Sequence, residues 1–96
     1  MSSTVSTTRS PDAMAHPTHD QLNWSELSLQ DILAFAIEDE IEARDYYRTA
    51  AGHAGNTGTR RMLEALAVME QGHADALRKE LEEVRLQQDM ETGLAD

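Results

Sequence analysis

Glu70 and His73 stand three residues apart, a spacing that puts both side chains on one face of a helix. A carboxylate oxygen and an imidazole nitrogen so placed can reach one cation. With no sulfur donor among them, the pair suits iron, manganese or zinc. Upstream lies "EDEIEARDYY", residues 38–47, which packs five acids (Glu38, Asp39, Glu40, Glu42 and Asp45) ahead of two tyrosines. The question is which of these acids shares a site with Glu70 and His73, and what compensates their charge.

The answer comes from the elements that carry them. Ser28 followed by Asp31 reads as a capping box, opening a helix from Leu29 to about Ala51. "GHAGNTG", Gly52 to Gly58, is predicted to be a loop. Asn56 or Thr57 caps a second helix, starting near Thr59 and running to about Leu86 or Met90. No strand pattern occurs. The predicted division is an arm over 1–27, a helical hairpin over 28–91 and a tail over 92–96. In the arm, Trp24 of "LNWSEL" is expected to anchor a turn by packing, and His16 and His19 receive no role.

The seam of the first helix reads Leu29, Leu33, Ala36, Glu40, Ala43, Tyr47 and Ala50, widened by Ile32 and Ile37. That of the second reads Leu63, Leu66, Glu70, His73 and Leu77, with Leu81 and Val84 beyond. Only Glu40, Glu70 and His73 interrupt these apolar rows. Glu38, Asp39, Glu42 and Asp45 fall outside the strict seam. Arg44, Arg48, Arg60, Arg61, Arg78 and Lys79 map to other faces, so no basic partner is expected on the seams. A buried carboxylate without a partner is costly or becomes protonated, and a metal cation would compensate the group. Glu40 and Glu70 lie equally far from the loop centre near Gly55, so an antiparallel hairpin brings them to one depth.

Two helices cannot cover their own apolar stripes, and two hairpins pair naturally into a four-helix bundle. Carboxylate-bridged di-metal sites in such bundles take one Glu from each of two helices and Glu-x-x-His from each of the others. One chain supplies half of that set, and a twofold-related copy supplies the rest. The expected fold is therefore all-α, a two-helix hairpin dimerising into a four-helix bundle.

Composition narrows the function further. The 96 residues carry a formal net charge of −10, which argues against nucleic acid and against an anionic membrane surface. There are no cysteines, which excludes disulfides, thiolate catalysis and rubredoxin-type iron sites. No apolar run long enough to span a membrane and no secretory h-region occur, so the expected compartment is the cytoplasm.

"AIEDEIEARDYY" (Ala36 to Tyr47) with "LAVMEQGH" (Leu66 to His73) resembles the ferritin-like superfamily in its rubrerythrin branch, and more closely the encapsulated ferritins. The resemblance covers roughly residues 29–90. It implies a ferroxidase whose di-iron site, two Fe per dimer, forms only between chains. Glu40, Glu70 and His73 would be the iron ligands, with Tyr47 a catalytic aromatic beside them. Asp39 and Glu42 match the family's acidic metal-uptake positions, and Tyr46 stands where a Trp is common. The same donors can take zinc, manganese or calcium. The resemblance also implies a ring of dimers, typically a decamer, working inside an encapsulin nanocompartment that stores the mineralised iron. "METGLAD" lacks the Gly-Ser-Leu-like core usual in the family's shell-targeting peptides. Two other readings fit the residues: a rubrerythrin- or erythrin-like di-iron peroxidase, and a non-catalytic dimerisation module whose Glu40, Glu70 and His73 form a polar layer fixing register.

Overall fold

A computed structural model of the chain describes residues 18–91. Two long helices, α1 (Leu29–Gly52) and α2 (Thr57–Glu91), pack against each other as an antiparallel hairpin. At about 1.5 Å per residue, α1 is roughly 36 Å long and α2 roughly 52 Å.

α1 begins where its capping chemistry places it. The Ser28 side chain accepts a hydrogen bond from the Asp31 amide at 3.1 Å, and the Asp31 carboxylate accepts one from the Ser28 amide at 3.1 Å. Two of the amides left over at the helix start are thereby satisfied. At the other end the predicted seven-residue loop shrinks to residues 53–56, because Gly52 ends α1 and Gly58 lies inside α2. Asn56 is the cap of α2: its Oδ1 accepts from the Thr59 amide at 2.8 Å and its carbonyl from the Arg60 amide at 3.1 Å. Thr57 is consequently the first helical residue, not the cap.

The surface between the helices differs from the predicted seam. The buried residues are Ile37 and Ala51 on α1 with Ala67, Ala74 and Leu81 on α2. Ala67, Ala74 and Leu81 recur every seventh residue, and the small side chains let the helices approach closely. Leu66, Glu70 and Leu77 of the predicted row are only half-buried, and His73 is exposed. The apolar stripe is broader than the strict 3-4 row; its alanine edge closes the hairpin and its larger side chains flank the closure.

Arg44 is a second correction. It does not point to an outer face: its Nη1 donates to Gln71 Oε1 of α2 at 2.7 Å, with the side chain 20% exposed. Its Nε and Nη2 also reach Asp45 Oδ1, at 2.9 and 2.8 Å. Long aliphatic stems allow such a charge to cross a packed surface and end in polar company. Gln71 passes the chain on to Asp75 at 3.0 Å. Near the open end of the hairpin, Gln30 donates to Gln88.

Before α1 the segment from Thr18 forms two short 3-10 turns, His19–Gln21 and Trp24–Glu26. Trp24 is 52% exposed and is not the buried anchor expected of it. The remainder of the predicted arm, with His16, and the tail over 92–96 lie outside the described residues. Among the described residues, no helix is long and apolar enough to cross a membrane.

Candidate metal centre

The register of the hairpin brings Glu40 of α1 level with Glu70 and His73 of α2. His73 Nδ1 lies 3.3 Å from Glu70 Oε1 and 3.4 Å from Glu40 Oε1. One donor atom from each of the three lies within 4.8 Å of the others. Glu40 arrives by spacing along α1, and the Glu70/His73 pair by the i,i+3 geometry of α2. Ligands about 2.1 Å from one metal stand roughly 3.0–3.4 Å apart, so the three donors are already close to coordinating distance.

The electrostatics agree. The Glu40 carboxyl holds its proton above the ordinary glutamate range. Its hydrogen bond to Glu70 is the largest cause, followed by desolvation and by Glu70's negative charge. His73 acts in the opposite direction but does not reverse the shift. Two carboxylates face one imidazole with too little positive charge between them. Arg44, a turn beyond Glu40, is spent on Asp45 and Gln71. A divalent cation would supply what is missing, and the set of two oxygens and one nitrogen fits iron.

The three side chains are not buried as the seam argument required. Those of Glu40, Glu70 and His73 are 27%, 15% and 54% exposed, and no charged residue among those described is buried. In a single hairpin the cluster sits at the rim of the interhelical groove, open on one side. Tyr47 is half-buried on the same face of α1. Its ring contact is with Tyr46, edge-on at 5.4 Å.

Asp39 and Glu42 are not part of the cluster. Glu42 is exposed. Asp39 meets a residue to which the sequence assigned nothing: His19 Nε2 lies 3.0 Å from Asp39 Oδ2. No periodic signal links them, since His19 sits in a 3-10 turn far from α1 in sequence. Asp45, which falls outside the predicted seam, is an exposed residue paired with Arg44.

Compared with known families, residues 31–95 match the rubrerythrin family. The chain belongs to the rubrerythrin family. The match spans both helices and the whole Glu40, Glu70 and His73 cluster. Membership places the chain among ferritin-like, iron-binding proteins of the di-iron type. No curated protein and no solved structure matches the chain.

Proposed function

We propose that two copies of this chain pair their open faces and form a di-iron ferroxidase centre between them, with Fe(II) as substrate and Fe(III) as product. The observation that carries the reading is the half-set of ligands at the rim. Glu40, Glu70 and His73 converge at coordinating distance yet remain open on the side away from their own hairpin.

The surroundings of the cluster support the pairing. Along α2, Met62, Leu66, Met69, His73 and Leu77 follow one another at 3-4 spacing, and Met62 and Met69 are exposed. Along α1, Leu33, Ala36, Ala43 and Tyr47 continue the same face and are only half-buried. The core of one hairpin holds three alanines, one Ile and one Leu, which is little for a domain of this size. A second copy would cover these faces and enclose the carboxylates in a drier environment.

In this arrangement Glu40, Glu70 and His73 from both copies hold the iron, which donates electrons to dioxygen or peroxide. The negative charges of Glu40 and Glu70 would offset the rising positive charge, with any proton on Glu40 released to solvent. Tyr47 packs beside them as an aromatic wall. Asp39 and Glu42 lie on the acidic outer side of α1, where they would attract cations, as they do by resemblance in encapsulated ferritins. Assembly into a decameric ring, work inside an encapsulin shell and mineral storage there complete this reading, and rest on that resemblance.

The rubrerythrin match favours one alternative, a peroxide-reducing di-iron protein. These 96 residues hold no cysteine and so no rubredoxin-type iron site of their own. Oxygen and peroxide consumption on addition of Fe(II) decides between them. The ferroxidase reading expects dioxygen uptake coupled to Fe(III) formation, abolished by Glu40→Ala. Oxidation no faster than in buffer, from folded protein, would overturn it.

A further inference from the structure

We propose that Arg44 and Gln71 are positioning residues for the Glu40, Glu70 and His73 cluster. Their bond braces the opposite flank of the helix seam and fixes the roll of α1 against α2. Their effect on metal rests on the metal-centre reading above; the brace itself does not.

The buried rows place the pair. On α1, Ile37, Arg44 and Ala51 follow one another at seven-residue steps, so Arg44 stands in the row between two buried residues. On α2 the row is Ala67, Ala74 and Leu81. At about 100° per residue, Glu70 and Gln71 lie roughly 50° to either side of the Ala67–Ala74 line. Glu70 turns to the open face with Glu40 and His73. Gln71 turns to the other flank, where it accepts from Arg44 Nη1 at 2.7 Å.

The seam between these flanks has little relief, since three of the five buried residues are alanines. Small side chains permit close approach but interlock weakly, and a loosely specified core does not hold one geometry. The turn over 53–56 sets how far along their axes the helices meet, and leaves their roll open. Side chains end about 5–6 Å from the helix axis, so a roll of about 20° moves them by roughly 2 Å. Metal ligands have to be held within about 0.5 Å. A polar group placed in an apolar helical row is a known means of selecting one alignment. Arg44 is suited to it, because the brace is itself held at both ends. Its Nε and Nη2 reach Asp45 Oδ1 at 2.9 and 2.8 Å. Gln71 donates to Asp75 at 3.0 Å, and Arg78 approaches the same carboxylate at 3.4 Å.

The full-length protein is compared with the double variant Arg44→Met/Gln71→Met and with Gln71→Glu, with helicity checked by circular dichroism. Replacing both partners of a hydrogen bond by apolar groups of similar shape can be nearly neutral for stability, which separates roll from folding. Gln71→Glu keeps the acceptor for Arg44. Co(II) is the probe, followed by visible absorption, whose spectrum reports the ligand set. In the double variant the Co(II) dissociation constant is expected to rise about tenfold or more, with a changed spectrum. Gln71→Glu is expected to retain the native affinity and spectrum. Roll is read without metal from spin labels on cysteines introduced at exposed Thr49 and Ala65, in a chain that has no other cysteine. Labelled protein is diluted into unlabelled protein. The distance distribution is expected to be narrow in the native background and broad in the double variant. If the double variant loses its helices, Gln71→Met alone makes the same comparison. An equally narrow distribution overturns the proposal. So does native Co(II) affinity in a variant whose distribution has broadened, or affinity lost equally in Gln71→Glu. A broadened distribution in a protein whose native form binds no Co(II) counts against the metal-centre reading alone.

Discussion

Glu40 hydrogen-bonds Glu70 across the hairpin, and the bond is the largest reason that Glu40 keeps its proton above the ordinary glutamate range. Two carboxylates can share a hydrogen bond only while one of them is protonated. Proton and cation would therefore compete for the same carboxyl group.

The pH dependence follows from that sign. A carboxyl whose folded pKa is raised binds its proton more tightly folded than unfolded. Its contribution to metal-free stability is full at pH below the ordinary glutamate value, and is lost as pH rises through the raised folded value. Urea midpoints across the acid-to-neutral range are expected to fall through this window in native protein, and to fall less in Glu40→Gln. The same proton competes with metal, so affinity for Zn(II) is expected to climb as pH passes through the window. Calorimetric titration at several pH values measures that slope.

Arg44 and Gln71 tie the helices together beside the cluster. Hydrogen bonds to charged groups contribute about 1.5–3 kcal/mol. Arg44→Ala is expected to cost roughly 1–2 kcal/mol of unfolding free energy, since Arg44 is only partly buried. A double-mutant cycle with Gln71→Ala in urea denaturation should return a coupling of the same order.

Asn56 closes the turn that sets the register. Asn56→Ala removes the side-chain acceptor of the Thr59 amide and should cost about 1 kcal/mol, read as a lowered thermal midpoint. Asn56→Asp, which keeps the acceptor, should restore it.

Gly72 lies within α2 between the two ligands of the Glu-x-x-His pair, and a Cβ added there meets nothing within 4 Å. Gly72→Ala is expected to stabilise the metal-free hairpin by about 0.5–1 kcal/mol through helix propensity, measured by denaturant unfolding. Loss of assembly in the same variant would reveal that this face is covered in the oligomer.

Much of the architecture is legible before any coordinates. Ser28 and Asp31 announce the start of α1 because capping is local chemistry. Equal distances from the loop centre bring Glu40 to the depth of Glu70 because helix rise is constant. What periodicity could not resolve is which edge of a broad apolar stripe closes the hairpin. Ala67 and Ala74 take that edge because small side chains permit close approach, leaving Leu66 and Leu77 half-covered. Arg44 reaches Gln71 for a related reason: the position of its Cα says little about where a long side chain ends. His19 and Asp39 meet through a turn-rich segment with no periodic signature, so nothing in the spacing joins them.

The central claim is that the metal centre belongs to two chains. Native mass spectrometry of iron-loaded full-length protein, prepared without oxygen, tests it most directly. The expected spectrum shows even-numbered assemblies carrying about one iron per chain, and metal-free, smaller species for Glu40→Ala and His73→Ala. Iron held stoichiometrically by a single chain, or even-numbered assemblies whose iron content is unchanged by both substitutions, would contradict it.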